Sequence, residues 1–178
     1  MMKKVVLVTG ASSGIGLSIA NYLHFQKKYI VYGTSRKTNN SSDFSFNLID
    51  LDVTNKSSIQ RCISEILKKE SKIDILINNA GVGITGPLEE IPTSEIDKHF
   101  QTNVIGPILL VKGVLPSMRS SKNGVIINIT SVAGQIATPF RSIYSGGKAA
   151  LEIISETLAM EVRSFGIDVI SIAPGDFK

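Results

Sequence analysis

Cysteine is nearly absent from this chain. A single residue, Cys62, in 178 excludes an internal disulfide and a multi-cysteine metal site, and it suits a reducing compartment. It reads as a small apolar residue on a helix face. Histidine is almost as scarce. His24 and His99 stand far apart with no carboxylate or thiol at ligand spacing, so both read as structural or solvated and no metal is expected. No apolar run approaches the ~20 residues that a membrane helix needs; the longest, Val104 to Leu115, is broken by Gly106, Pro107, Lys112 and Gly113. The opening Met1-Met2-Lys3-Lys4 imitates the basic end of a secretory signal. Only Val5 to Val8 follow before Thr9 and Gly10, too few for the apolar stretch of such a signal. A cytoplasmic protein without a membrane association is the expectation. The formal net charge of +4 comes from Lys and Arg scattered along the chain rather than clustered with aromatics. No nucleic-acid partner is expected, and a small anionic ligand would suit the charge equally well.

The 43% apolar content is enough for a sizeable core, and the length reads as a single domain, residues 1–178. Short Val/Ile-rich runs alternate with longer helical patterns, the signature of βα units around a parallel sheet. The expected strands are Lys3 to Val8, Ile30 to Ser35, Phe44 to Leu48, Ile73 to Ile77, Val125 to Thr130 and Ile167 to Ile172. Most are near-continuous apolar runs, as strands covered on both faces should be. Helices are expected over Ile15 to Gln26, Ser57 to Lys69 with Thr54 or Asn55 as cap, Thr93 to Met118 and Ser142 to Phe165. The polar stretch Lys37 to Asp43 is a connecting loop. The fold class is α/β, a doubly wound parallel sheet of Rossmann type with helices on both faces.

Between the first strand and the first helix lies Thr9-Gly10-Ala11-Ser12-Ser13-Gly14-Ile15-Gly16, with glycines spaced GxxxGxG. Glycine permits positive φ and lets the backbone come within contact distance of a pyrophosphate, while a helix N-terminus offers unpaired N–H groups and a partial positive charge. Ser12 and Ser13 add hydroxyl donors. Placed directly after a Val-rich strand, the turn points to a dinucleotide site.

The chain at this point resembles the short-chain dehydrogenase/reductase family, and the match runs from Thr9 to Gly175. The motifs stand in family order: TGASSGIG, then Asp52-Val53, Asn78-Asn79-Ala80-Gly81, Asn103, Ser131, Tyr144-Ser145-Gly146-Gly147-Lys148 and Pro174-Gly175. The resemblance implies cofactor contacts from Gly10, Ser12, Ser13, Gly14, Ile15, Gly16, Arg36, Asp52, Val53 at the adenine ring, Asn79, Ala80, Gly81, Tyr144, Lys148, Pro174 and Gly175. It further implies that Ser131 hydrogen-bonds the substrate oxygen and that Tyr144 exchanges the proton. Lys148 would hold the nicotinamide ribose, and Asn103 would anchor a water in the proton relay. The catalytic set is then Asn103, Ser131, Tyr144 and Lys148. A homodimer or homotetramer built on the two long helices is implied as well.

The same residues make chemical sense independently. Tyr144 and Lys148 are i and i+4 on a helix and so share one face. Phenols titrate near ~10, and an ammonium one turn away favours the phenolate that acid/base work near neutrality requires. The expected reaction is reversible hydride transfer between a nicotinamide and a carbonyl or secondary alcohol carbon of a small-molecule substrate. Walls from Val82 to Thr85 and from Val132 to Ile143, with Gln135, Pro139 and Phe140, suggest a lipophilic or medium-sized carbonyl compound. Where the second strand ends, an acid would favour NAD by binding the ribose hydroxyls. The segment here is Gly33-Thr34-Ser35-Arg36-Lys37. Arg36 is suited to a 2′-phosphate and Lys37 adds charge, so NADP(H) is expected rather than NAD(H).

Two departures from the pattern stand out. Family members continue past the Pro-Gly motif, so a C-terminally truncated form of a longer domain is expected. The glycine pair inside YSGGK is unusual, because each glycine in a helix costs about 1 kcal/mol against alanine. The alternatives to an oxidoreductase are a dinucleotide-binding regulatory or scaffold protein without catalysis, and a nucleotide-sugar epimerase or dehydratase. The latter enzymes usually carry a GxxGxxG turn and a longer substrate domain.

Overall fold

Strand β1 (Lys4–Val8) shows how the core is divided. Val5, Val6, Leu7 and Val8 are all buried, and because successive side chains point to opposite faces, Val5 and Leu7 join one apolar cluster while Val6 and Val8 join another. The computed structural model describes residues 3–36 and 43–175. Among these, six strands form one parallel sheet: β1, β2 (Tyr29–Ser35), β3 (Asn47–Asp50), β4 (Ile75–Asn78), β5 (Gly124–Ile129) and β6 (Ile167–Ile172). Their order is β3-β2-β1-β4-β5-β6, so the chain reverses direction across the sheet between β1 and β4. Crevices that receive ligands open at such a switch point, beyond the carboxyl ends of the strands.

Helix α1 (Gly14–Phe25) covers one face, with Ala20, Leu17 and Leu23 against Val6, Val8, Val31 and Ile77. On the other face α2 (Lys56–Glu70) applies Ile59, Cys62, Ile63 and Ile66 to the cluster around Val5, Leu7 and Leu76. Asn55 caps α2, its side-chain oxygen accepting the Ser58 amide at 3.0 Å. Helix α3 (Thr93–Phe100), a π-helical segment (Gln101–Ile105) and α4 (Gly106–Ser121) follow one another without a turn between them. The last long helix, α5 (Ser142–Val162), ends in a 3₁₀ turn at Arg163–Phe165.

Three boundaries differ from the sequence expectation. The strand expected over Phe44 to Leu48 starts at Asn47, because the phenylalanines are used for packing. Phe46 is buried over Gly33 of β2, where a Cβ would collide with its ring, and Phe44 lies against it with ring centroids 5.5 Å apart. The strand expected from Ile73 begins at Ile75. Asp74 precedes it, and its carboxylate accepts the Val5 amide at 2.7 Å and pairs with Lys72 at 2.9 Å. Finally, the helix expected over Thr93 to Met118 is not one α-helix. The Gly106 amide reaches back five residues to the Gln101 carbonyl, which widens the helix around Asn103. The connecting loop expected from Lys37 to Asp43 lies, up to residue 42, outside the described residues, as does Lys37 itself.

Burial pushes the Cys62 thiol up to about 12, from 9.0, with Glu65 and Asp50 adding to it. The unfolded thiol ionises first, so the folded state is indifferent to this group below pH 9 and loses stability as the pH rises from there. The loss approaches about 1.4 kcal/mol per pH unit. Urea unfolding of wild type and Cys62→Val at pH 8 and pH 10 should therefore show the wild type losing more stability than the variant over that interval. An equal loss in both proteins would contradict the assignment. Ellman's reagent should label Cys62 only on unfolding.

Candidate active site

The glycine-rich turn is held from both neighbouring strands. The Thr9 hydroxyl, buried at the end of β1, accepts the amides of Asn79 and Ala80, each at 3.0 Å, and donates to the Ile77 carbonyl. In return the Asn79 carboxamide donates to the carbonyls of Thr9 at 2.9 Å and Gly10 at 3.2 Å. From β2, Thr34 accepts the amides of Gly10 and Ala11. This pinning leaves no room for side chains. Gly10 has φ +65°, and a Cβ there would stand 2.9 Å from the Ala80 Cα; at Gly16 a Cβ would collide with Asn79 Nδ2 and the Gly10 carbonyl.

Gly14, with φ +55° and open space where a Cβ would stand, begins α1. The helix has Ser13 as N-cap with no side-chain hydrogen bond to the first turn. Its leading N–H groups thus face outward without a side-chain cap, as a phosphate site requires. Ser12, Ser13, Gly14 and Ile15 are exposed around it.

The other half of the site is assembled from β4, the α3–α4 junction, β5 and α5. Asn103, at the centre of the π-helical segment and 1% exposed, clamps the chain after β4. Its Oδ1 accepts the Val82 amide at 2.9 Å and its Nδ2 donates to the Val82 carbonyl at 2.8 Å. Pro107 sits four residues on and has no N–H, so the usual α-helical donor to the Asn103 carbonyl is missing.

Ser131 follows β5 and is buried. Its Oγ accepts the Ala133 amide at 3.2 Å, which leaves its hydroxyl hydrogen available to donate. Lys148, 7% exposed, donates to the Ile129 carbonyl at 2.8 Å. Its Nζ lies 5.9 Å from the centroid of the Tyr144 ring. One of its three N–H bonds is thus used and two remain. Burial lowers the Lys148 ammonium to about 8, from 10.5.

Ser131, Tyr144 and Lys148 line one cavity of about 370 Å³. Ile15 and Asn79 from the glycine-turn side, Gly81, and Pro174 and Gly175 beyond β6 line it too. Ala80 does not; it lies beneath Gly10. Val82 to Thr85 are walls as expected, whereas Gln135, Pro139 and Phe140 are not among the lining residues. Arg36 is exposed just past the end of β2. Asp52 accepts the Thr54 amide and hydroxyl at 2.9 and 2.7 Å, and Val53 is buried with its carbonyl against Gly106.

Three residues that the sequence reading gave no individual role in the site adjoin it. Arg141 lines the cavity with its guanidinium 6.0 Å from the Tyr144 ring centroid; its position three residues before Tyr144 was the available signal. Gly134 lets the turn after Ser131 dock on α5, since a Cβ would stand 2.9 Å from the Ala149 amide nitrogen. His99, read as structural or solvated, is 1% exposed and lies between Asn103 and Tyr144.

A glycine turn opening a helix at the switch point of a parallel sheet defines a dinucleotide-binding α/β protein of Rossmann type. A family profile described as short chain dehydrogenase matches residues 4–178, and the chain belongs to the short-chain dehydrogenase/reductase family. It is 41% identical over 178 residues to 3-ketodihydrosphingosine reductase of Bacteroides thetaiotaomicron, covering 100% of this chain and 65% of that relative. The chain spans less than two thirds of the length of the first curated relatives it matches. A crystal structure of a short-chain dehydrogenase from Streptomyces avermitilis superposes with TM-score 0.95 at 39% identity, over 100% of this chain and 67% of that one. ElxO with NADP bound superposes at 0.92 with 32% identity, over 99% and 75% of the two chains. NAD+-bound xylitol dehydrogenase does so at 0.90 with 27% identity, over 98% and 71%.

With Lys148 lowered to about 8, an anionic ligand placed beside it would link protonation to binding. Below pH 8 the charged amine would attract the ligand, and above it binding would draw a proton onto the amine. The dissociation constant for NADPH, followed by its fluorescence, is expected to rise between pH 7.5 and 9.5. In Lys148→Met that slope should vanish; an unchanged slope would place the titration elsewhere.

Proposed function

We propose that this chain is an NADP(H)-dependent reductase of a lipophilic carbonyl compound. The observation that carries the reading is that Ser131, Tyr144 and Lys148 face one cavity together with Ile15 and Asn79 of the glycine-turn half. The residues present suit a dinucleotide: an uncapped helix start, two glycines at positive φ and a backbone too close-packed for side chains there. Gly10, Ser12, Ser13, Gly14, Ile15 and Gly16 would hold the pyrophosphate. Asp52 and Val53 would flank the adenine, and Asn79, Ala80, Gly81, Pro174 and Gly175 the nicotinamide half. Bound NADPH supplies a hydride to the substrate's carbonyl carbon.

The protein's own part is to hold and move a proton at the carbonyl oxygen. Ser131, its Oγ already accepting a backbone amide, donates its hydroxyl hydrogen to that oxygen and orients it. Tyr144 transfers its phenolic proton to the same oxygen as negative charge develops there. The Lys148 ammonium stabilises the phenolate that remains and binds ribose hydroxyls with its two free N–H bonds. Asn103, whose carbonyl lacks an α-helical partner at Pro107, anchors a water through which the proton is replaced. The Bacteroides relative is named a reductase, in agreement with the direction proposed. Val82 and Ile84, apolar residues of the cavity wall, favour a lipophilic substrate.

The choice of NADP(H) rests on Arg36 and on the lack of an acid at the end of β2, where a guanidinium is suited to bidentate pairing with a 2′-phosphate. Both NADP-bound and NAD-bound structures are among those this chain resembles, so the residue itself is the argument. Self-association through α4 and α5 is part of the same proposal. The groove between them is lined by Ile108, Val111, Leu115, Leu151, Ile154 and Leu158.

Two measurements test the reading. With a panel of ketones and NADPH, Tyr144→Phe should lose at least about 100-fold in kcat with NADPH affinity little changed; wild-type turnover in the variant would sink the assignment. Replacing Arg36 by Ala should weaken NADPH binding about tenfold and leave NADH binding unaltered. Equal affinity of the wild type for NADH and NADPH would refute the cofactor choice.

A further inference from the structure

Two features take no part in the proposed chemistry: a buried histidine beside Tyr144, and a glycine immediately before Lys148. They touch each other. His99, on the last turn of α3, is 1% exposed. A Cβ on Gly147 of α5 would stand 2.5 Å from its Nε2 and 3.1 Å from its Cδ2. Any residue with a side chain at 147 would therefore evict the imidazole or push α3 off α5. The companion Gly146 has open space at its Cβ position, so only one glycine of the pair answers to this demand. Gly147 costs helix stability relative to alanine, and the structure shows what occupies the space it leaves.

The imidazole in that space meets three parts of the site. The Asn103 Nδ2 lies 3.0 Å from His99 Nδ1 and 3.2 Å from Nε2. An amide nitrogen only donates, and one that stands almost equally far from both ring nitrogens directs its N–H at the face of the imidazole, which accepts best as the neutral ring. The Asn103 carboxamide is then engaged on every side: Oδ1 by the Val82 amide, one N–H by the Val82 carbonyl, the other by the face of the His99 ring. The ring also stands edge-on to Tyr144, centroids 5.8 Å apart. Desolvation and the nearby Lys148 charge lower the affinity of His99 for a proton, partly offset by a hydrogen bond to the Val82 backbone. Both influences hold the ring in the neutral form that the Asn103 contact favours.

We propose that His99 is a positioning residue of the active site: seated in the space left by Gly147, its neutral imidazole locks the Asn103 carboxamide onto Val82 and backs the Tyr144 ring. It acts through Asn103 and Tyr144 and does not itself touch substrate. The role rests on the hydride-transfer reading for its effect on turnover, but its geometry is testable without turnover.

A double-mutant cycle in melting temperature tests the pairing. Gly147→Ala in the wild-type background should lower Tm by several degrees. In the His99→Ala background, where the space is open, the same substitution should leave Tm unchanged or raise it, alanine being the better helix former. Additive effects would overturn the pairing whatever the enzyme's activity.

The positioning is read by hydrogen exchange of the Asn103 side-chain amide in ¹H–¹⁵N spectra. It should speed up at least tenfold in His99→Leu and return toward wild type in His99→Gln, which restores an acceptor. Unchanged exchange in His99→Leu would overturn the proposal. With the ketone that the wild type reduces fastest, His99→Leu should lose at least tenfold in kcat with the KM for NADPH within twofold, and His99→Gln should recover most of it. A wild type that reduces no ketone would defeat the hydride-transfer reading, while the melting cycle and the amide exchange would still decide the role of His99.

Discussion

The reciprocal clasp between Thr9 and Asn79 is the contact on which the site depends. One buried hydroxyl accepts two amides from the chain leaving β4, and one carboxamide donates to two carbonyls of the chain leaving β1. At a switch point the two strands part to opposite sides, and their freed backbone groups have no ladder partners beyond the sheet. The clasp supplies those partners and holds the diverging chains close. Gly10 rests against Ala80 and Gly16 against Asn79 because of it. The start of α1, and with it the direction of its unpaired amides, follows from the same closure.

Farther along the crevice, the polar groups are buried in a graded way. Below the site, Asn78 donates to Asn128 at 2.8 Å and Asn128 to Ser155 at 2.7 Å, linking β4, β5 and α5. Buried polar chains of this kind tolerate only one register, and Asn78 and Asn128 are indeed cross-strand partners. Above them Lys148 is buried and anchored to Ile129, so its remaining N–H bonds have a defined direction. Asn103 comes within reach through a local widening of the helix rather than through a loop. Small residues keep these parts together: a Cβ on Gly81 would stand 3.0 Å from Asn103 Oδ1. Desolvation of Lys148 and of His99 is the electrostatic consequence of that density.

Much of this was legible in the chain because it is written in local pattern. Alternating short apolar runs and helical stripes yield the parallel sheet, and the elements fall close to where periodicity puts them. The glycine spacing marks a backbone that must approach something closely, and Tyr144 and Lys148 share a face by helix geometry alone. The misplaced boundaries have a common cause. Phe44 and Phe46 look like strand residues because they are aromatic and apolar, yet the Phe46 ring covers Gly33 and Phe44 packs against Phe46. Asp74 looks like an ordinary residue of the β4 run, yet its carboxylate replaces a ladder partner for Val5. The widening at Asn103 has no apolar signature; it is a backbone rearrangement in which the Gly106 amide reaches back to the Gln101 carbonyl, just before Pro107 withholds its donor.

The sequence by itself determined the order of elements, the parallel sheet and the family, because each depends on neighbours within about a turn or a strand of one another. Tertiary structure alone decided which lone residues matter. Histidine 99 and glycine 147 are 48 positions apart, and neither has a local reason to be what it is; each becomes explicable only when α3 is laid against α5. Arg141 likewise joins the site only because its helix start opens onto the cavity. Packing between elements distant in sequence obeys volume and hydrogen-bond satisfaction, and those are properties of the folded neighbourhood rather than of any stretch of chain.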